Sequence, residues 1–223
     1  MTAGESVHDF QILDFANPIT APLGDLSNLT APSEALAALL LSGGASQRMG
    51  HDKTQLLVGG QTLAMRTGSV LSEVVSIALE IGPGHSGLEA IQEQPSRQGP
   101  LAAIVTGWLA LRRRGYEGSV LVVACDLPFL EANFLRFLLS VNPAATVLPV
   151  VGNRSQPLCA RWSLGALNLG SENYARGERS LQFLSSSPDV VLLHEKDWSP
   201  HATSAMFLDV DTPDDARHAG LIF

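Results

Sequence analysis

Cysteine is scarce in this 223-residue sequence, which holds only Cys125 and Cys159 and no C-x-x-C pair. A disulfide scaffold and a structural zinc site of the usual kind are therefore excluded. Basic residues are also few, since 14 Lys and Arg stand against 22 Asp and Glu, a formal net charge of −8. The chain lacks the positive footprint of a nucleic-acid-binding protein, so an anionic ligand must be held by a local site.

Long hydrophobic runs are missing as well. The longest candidate, residues 36–41, is followed by Ser-Gly-Gly and falls far short of the roughly 20 apolar residues that a membrane span needs. The N-terminus carries Glu5, Asp9 and Asp14 where a secretory signal would carry Lys or Arg. We therefore expect a cytoplasmic protein with reduced thiols and no membrane partner.

The composition is that of a globular protein, with 45% hydrophobic and 16% charged residues. The length suits one α/β domain with a tail better than two full domains. Residues 1–35 contain turn and breaker signals such as Asn17-Pro18 and Gly24-Asp25. They predict an N-terminal extension, partly ordered or disordered, before a domain that spans residues 36–223.

Strands and helices alternate after the extension. Residues 119–125 are apolar on both faces, as a central parallel strand requires. Further strands are predicted at 38–41, 76–81, 146–150, 157–162 and 190–193, and helices at 62–75, 101–113, 134–141, from 180 and from 213. This order predicts a three-layer α/β fold with a mostly parallel sheet. Ligands bind such sheets at the carboxyl ends of the strands.

A glycine-rich segment follows the first strand: Leu41-Ser-Gly-Gly-Ala-Ser-Gln-Arg-Met-Gly-His-Asp-Lys53. Gly43 and Gly44 let the backbone approach a ligand closely and present its N–H groups. Arg48 and Lys53 add positive charge, so the segment predicts a triphosphate cradle. It matches neither a Walker loop nor a G-x-G-x-x-G fingerprint, and two glycines alone would indicate only a strand–turn–helix corner.

Carboxylates follow two other strands. Asp126 ends the central strand, where a charge is costly unless it is neutralised, and Mg²⁺ is the expected partner in a phosphate site. The alternative is that Asp126 caps a helix around Pro128. Asp209 and Asp211 alternate in a predicted strand end, so they would share one face with a cation between them.

These motifs resemble those of the MobA-like nucleotidyltransferases, and within that family the molybdenum cofactor guanylyltransferases. The resemblance runs from about residue 37 to 221. Besides the glycine-rich segment, it rests on Gln98-Gly-Pro-Leu-Ala-Ala-Ile, Ala-Cys-Asp-Leu-Pro-Phe, Gln156-Pro-Leu-Cys-Ala and Asp209-Val-Asp-Thr-Pro-Asp-Asp. It implies a Rossmann-like fold and a Mg²⁺-dependent transfer of GMP from GTP to the phosphate of molybdopterin, with pyrophosphate as the second product. Other proteins of molybdenum cofactor biosynthesis are the implied partners.

The resemblance also implies roles for individual residues. Leu41, Ser42 and Gly43 would contact the nucleotide through the backbone, and Lys53 would bind its phosphates. The family's aspartate before the Gly-Pro-Leu motif is replaced here by Gln92-Glu-Gln-Pro, which makes Glu93 the candidate substitute. Together with the residue-based argument, this predicts Lys53, Arg48 and Asp126 as catalytic, Leu41, Ser42, Gly43, Gly44, Lys53, Glu93 and Asp126 as nucleotide-binding, and Asp126, Asp209 and Asp211 as metal ligands.

Two alternatives stay open from the sequence. The changed base-pocket region fits a related enzyme, such as a cytidylyltransferase of the same cofactor or a sugar-phosphate nucleotidyltransferase. A non-catalytic nucleotide-binding protein of the same fold is the second alternative. The presence of Lys53, Asp126 and the Asp209/Asp211 pair speaks against it, because loss of catalysis usually removes some of these groups.

Overall fold

A computed structural model of the chain describes residues 36–43, 53–93, 98–187, 189–210, 213–218 and 220–221. The predicted N-terminal extension lies outside these residues, as do Gly44, Arg48 and Asp211. The strands are β1 (Ala37–Leu41), β2 (Leu57–Val58), β3 (Gln61–Thr62), β4 (Ile77–Ile81), β5 (Glu89–Ile91), β6 (Val120–Ala124), β7 (Thr146–Val151), β8 (Arg154–Ser155), β9 (Cys159–Trp162) and β10 (Val190–Leu193).

Helices alternate with most of these strands. They are α1 (Leu63–Ser72), α2 (Pro100–Arg113), α3 (Ala132–Ser140), α4 (Leu164–Ala175), α5 (Glu195–Trp198) and α6 (Pro213–His218), with 3-10 turns at Lys53–Gln55, Gln182–Ser186 and Ser204–Phe207. Helix α1 begins where Thr62 accepts a hydrogen bond from the Met65 N–H, as an N-cap does. Pro100 opens α2, where its missing N–H costs nothing.

The described strands form a main sheet in the order β10-β7-β9-β6-β1-β4-β5, with β8 on β7, and β2 pairs with β3 separately. Strands β6, β1, β4 and β5 run parallel to one another, and β10 runs parallel to β7. Strand β9 is antiparallel to β6 and to β7. The predicted α/β fold with a mostly parallel sheet is confirmed.

The sheet separates two hydrophobic cores, because successive side chains of a strand point to opposite faces. In β6, Leu121 and Val123 face one core, and Val120 and Val122 face the other. The first core includes apolar side chains of α1, α3 and α5, and the second those of α2 and α4. The described residues therefore form three layers, and β6 is buried on both faces as its sequence predicts.

Helix α4 was not predicted from the sequence, which indicated a helix from residue 180 as the first one after the strand at 157–162. The structure instead has α4 at Leu164–Ala175 and a 3-10 turn at Gln182–Ser186. Two glycines weaken the helical pattern of α4, and Ser163 caps its first turn by accepting from the Ala166 N–H at 3.1 Å. A bond from the Trp108 indole N–H to Asn168 Oδ1, at 3.2 Å, then ties α4 to α2. Tertiary packing outweighs the weak local signal.

No helix in the described part of the chain is both long and apolar enough to cross a membrane.

Candidate active site

The ends of three neighbouring strands bring the first predicted site segments together. Leu41 pairs in register with Ala124 of β6 and with Ile81 of β4. The Cys125 N–H continues this ladder by donating to the Leu41 carbonyl at 3.0 Å. Ser42 and Asp126 thus leave adjacent parallel strands at the same carboxyl edge, which is where open α/β sheets bind ligands.

The segment around Asp209 reaches the same edge, although not as a strand. The Val210 N–H donates to the Asp126 carbonyl at 3.2 Å, so Asp209 and Asp126 are brought close along neighbouring backbones. The predicted strand end that carries Asp209 is wrong for the described residues, because residues 208–210 are irregular after the turn Ser204–Phe207. Asp211 lies outside the described residues. Burial of Val210 with Leu56 holds this segment instead of a ladder of hydrogen bonds.

The alternative role of Asp126 as a helix cap is wrong. Helix α3 begins only at Ala132, and its N-cap position is Glu131. The loop after Asp126 is fixed from another element, since Arg66 of α1 donates through Nε to the Pro128 carbonyl at 2.8 Å. Arg66 is not among the site residues predicted from the sequence, where its signal is a cation on the first long helix after the glycine-rich segment.

Cys159 is buried beside this edge. Burial, reinforced by the nearby negative charge of Asp126, raises the pKa of the Cys159 thiol to about 12. The thiol is therefore neutral at physiological pH and belongs to a hydrophobic core.

The carboxylates at this edge suit a magnesium ion in number and type. Mg²⁺ is usually bound in proteins by one or two carboxylates together with substrate phosphates and water. Asp126 is half-buried and Asp209 is exposed, so both are within reach of a ligand at the edge. Among the described residues no group of three or more His, Cys, Asp or Glu side chains is placed to hold a metal, and Asp211 lies outside them.

The start of the glycine-rich segment is tied to β4. The N–H groups of Ser42 and Gly43 both donate to the Ile81 carbonyl at 3.1 Å. The expectation that Gly43 presents its N–H to a ligand is therefore not met here. Backbone contacts from Ser42 and Gly43 to a nucleotide would have to use other backbone atoms of this stretch.

Glu80, a further residue near this edge, is not among the site residues predicted from the sequence. It lies in β4 with 0% of its surface exposed. Burial alone would raise the pKa of its carboxyl, but hydrogen bonds from Ser42, from the side chain and backbone of Ser86 and from the His85 N–H outweigh this and lower the pKa. The available signal was a single charged residue inside the apolar strand 76–81. A carboxylate buried in such a strand needs several hydrogen-bond donors, so its presence indicates a polar network around it.

The remaining predicted residues flank these groups. Lys53 opens the turn Lys53–Gln55, and the adjacent Thr54 is buried. Glu93 is half-buried and follows the carboxyl end of β5 by two residues, so it lies at the same edge of the sheet. Arg48 and Gly44 lie outside the described residues, so their placement stays a prediction.

Known proteins resemble this chain in sequence and in fold. Residues 38–189 match the family model described as the MobA-like NTP transferase domain. The chain is 32% identical over 208 residues to the molybdenum cofactor guanylyltransferase of Sinorhizobium fredii, covering 85% of this chain and 93% of that protein. It is 32% identical over 163 residues to a protein of Opitutus terrae named "Probable molybdenum cofactor guanylyltransferase", covering 69% and 79%.

A solved structure shares the fold. The molybdopterin-guanine dinucleotide biosynthesis protein A of Archaeoglobus fulgidus superposes with a TM-score of 0.68 at 21% identity, covering 82% of this chain and 96% of that one. The family match spans more than half of the chain. The chain therefore belongs to the MobA-like NTP transferase family of nucleotidyltransferases.

Proposed function

We propose that this enzyme transfers GMP from GTP to the phosphate of molybdopterin, giving the guanine dinucleotide form of the cofactor and pyrophosphate. The choice of substrates is supported by the guanylyltransferases that resemble the chain over most of its length. The observation that carries the reaction type is the meeting of Ser42, Asp126 and Asp209 at one carboxyl edge, through the Leu41–Cys125 and Asp126–Val210 backbone bonds.

The reaction needs placement and charge neutralisation more than covalent chemistry. A phosphate oxygen of molybdopterin attacks the α-phosphorus of GTP in line, a new P–O bond forms, and the bond to the leaving pyrophosphate breaks. Lys53 and Arg48 would neutralise the charge that develops on pyrophosphate. Residues 41–44 and Glu93 would bind the nucleoside, and no covalent enzyme intermediate is required.

A divalent cation fits the carboxylates of this site. Asp126 and Asp209, with Asp211 from outside the described residues, would hold Mg²⁺. When bound, it would supply charge neutralisation to phosphate oxygens. Without a cation, the carboxylates would repel the anionic substrates. Acidic residues at a phosphate-binding edge therefore fit a site in which a cation lies between them and the phosphates.

Nucleotide selectivity is the sharpest test of the proposal. The purified chain is incubated with Mg²⁺, molybdopterin and GTP, CTP or ATP, and pyrophosphate release and the mass of the product are measured. We expect molybdopterin-dependent pyrophosphate release with GTP and a product of the mass of the guanine dinucleotide. Omitting molybdopterin controls for simple hydrolysis of the nucleotide.

The other outcomes would replace the proposal with a defined alternative. A cytosine dinucleotide formed from CTP would show a cytidylyltransferase. Pyrophosphate release with a sugar 1-phosphate in place of molybdopterin would assign a different acceptor. Nucleotide binding measured by calorimetry, without turnover of any acceptor, would show a non-catalytic nucleotide-binding protein.

A further inference from the structure

Among the described residues near the candidate site, Glu80 is a fully buried carboxylate, and it accepts hydrogen bonds from two separate segments of the chain. Its Oε1 accepts from the Ser42 hydroxyl at 2.5 Å, from the Gly84 N–H at 2.8 Å and from the His85 N–H at 3.1 Å. Its Oε2 accepts from the Ser86 N–H at 2.8 Å and from the Ser86 hydroxyl. Five donors hold one carboxylate in its ionised form, which fixes the donors relative to β4.

The same network reaches the residue after Lys53. Nδ1 of His85 and Oγ1 of Thr54 share a hydrogen bond of 2.8 Å, and Thr54 is buried. Through His85, Glu80 is therefore linked to the turn that begins at Lys53. The described residues Ser42 and Thr54, on either side of segment 44–52, are both linked to the loop 84–86. Ser42 is linked through Glu80 and Thr54 through His85.

The network fits only because two neighbouring positions are glycines without a side chain. A Cβ at Gly82 would overlap the Ser42 hydroxyl and lie 2.8 Å from the Gly43 nitrogen. A Cβ at Gly68 of α1 would lie 2.7 Å from the Ser86 carbonyl oxygen. Real Cβ atoms do not approach so closely, so a side chain at either position would displace Ser42 or Ser86 from Glu80.

We propose that Glu80 is a positioning residue of the nucleotide site, acting through Ser42 on one flank of the glycine-rich segment and through His85 and Thr54 on the other. It rests on the proposed function insofar as that segment binds the nucleotide. Glu80 itself need not touch the substrate, since its oxygens are occupied by protein donors. Loss of its charge would free both flanks to move relative to each other, and a nucleotide held between them would bind less tightly.

The direct test replaces Glu80 with Gln, which keeps the size but turns one acceptor oxygen into an NH₂ donor that faces other donors. Calorimetry would give the Kd of the nucleotide that the wild type uses, and kinetics would give KM for nucleotide and for acceptor. We expect nucleotide binding about tenfold weaker, as for the loss of a hydrogen bond to a charged group, with an unchanged KM for the acceptor. Glu89→Gln, on the neighbouring strand β5 and exposed, is the matched control and should keep the wild-type Kd.

A double-mutant cycle separates positioning from general support of the fold. Ser42→Ala should weaken nucleotide binding in the wild type and have little further effect in the Glu80→Gln background, because the hydroxyl has then lost its carboxylate. Additive effects of the two substitutions on the nucleotide Kd would overturn the proposal. So would a fall in kcat that merely follows the fraction of folded protein while both KM values stay unchanged.

A milder variant keeps the test available if Glu80→Gln does not fold. Ser86→Ala leaves the carboxylate and its other donors, and should raise the nucleotide Kd in the same direction by a smaller factor. An unchanged Kd in Ser86→Ala would then overturn the proposal. If the wild type binds no nucleotide, both proposals fail; if it binds GTP and the Glu80→Gln variant binds equally well, only the positioning role fails.

Discussion

Lys53 is predicted to bind the phosphates of the nucleotide, and its replacement should separate chemistry from stability. Lys53→Ala should lower kcat by about 10²-fold, the effect of removing one electrostatic stabiliser of the transition state. The chain has one other lysine, Lys196, which is exposed in α5 and gives the matched control Lys196→Ala. Near-normal turnover of Lys53→Ala in a pyrophosphate-release assay would contradict the assignment.

Asp126 should govern the metal dependence of the reaction. Asp126→Asn keeps the shape and removes the charge, and should cut Mg²⁺-dependent turnover by about 10²-fold or more. The free energy of unfolding of the protein without metal should stay the same or rise, since a charge that is costly without its metal is removed. Turnover is measured against Mg²⁺ concentration, with Asp189→Asn, an exposed carboxylate, as control. An undiminished response to Mg²⁺ would rule out Asp126 as a ligand.

Glu80 gives a prediction about pH that needs no activity. Its pKa in the folded protein is lowered from the ordinary 4.5, so its ionised form stabilises the fold above that value. This contribution is lost as the pH falls through the folded pKa, where the protonated carboxyl resembles the amide of Gln. The stability gap between the wild type and Glu80→Gln, measured by urea unfolding, should therefore narrow below pH 4.5. A gap that is constant with pH would show that the charge is not what matters.

At the scale of elements, helix α2 packs closely against the sheet at Gly107. A Cβ at Gly107 would lie 2.6 Å from Leu39 Cδ2 and 2.9 Å from Ile81 Cδ1. Gly107→Ala should therefore destabilise the protein by about 1–3 kcal/mol, the usual cost of overpacking.

A second helical glycine supplies the opposite expectation. A Cβ at Gly165 of α4 meets only Ser163 Oγ, at 3.8 Å. Gly165→Ala should stabilise the protein by about 0.5–1 kcal/mol, because alanine loses less backbone entropy in a helix. Thermal unfolding of both variants decides the question, and equal shifts of the same sign would contradict the packing argument.

For the whole molecule, we predict that the catalytic unit does not need residues 1–33. The family match begins at residue 38 and the candidate site begins at Leu41. A chain that starts at Glu34 should bind the nucleotide as tightly as the full chain, as measured by calorimetry on both. A large loss of affinity on truncation would place part of the site in the N-terminal extension.

Local patterns in the sequence were enough to predict the strand–helix alternation and the segments that we propose to bind ligands. Periodicity is a local property, so the core strands β1, β4 and β6 and helices such as α2 were predicted where they occur. The family could also be recognised from the sequence, because its motifs are short stretches of consecutive residues. They include the glycine-rich segment with Lys53, the motif that contains Asp126 and the segment that begins at Asp209.

Which groups come into contact could not be read from local patterns and depends on the tertiary structure. Asp209 reaches Asp126 through an irregular segment held by the burial of Val210, and no local pattern encodes that contact. Helix α4 forms because Ser163 caps it and α2 packs against it, despite its two glycines. Glu80 looks like an isolated charge in an apolar strand until the fold brings Ser42 and Ser86 to it from separate loops. Hydrogen bonds between residues distant in the chain depend on the relative placement of whole strands, which sequence spacing does not specify.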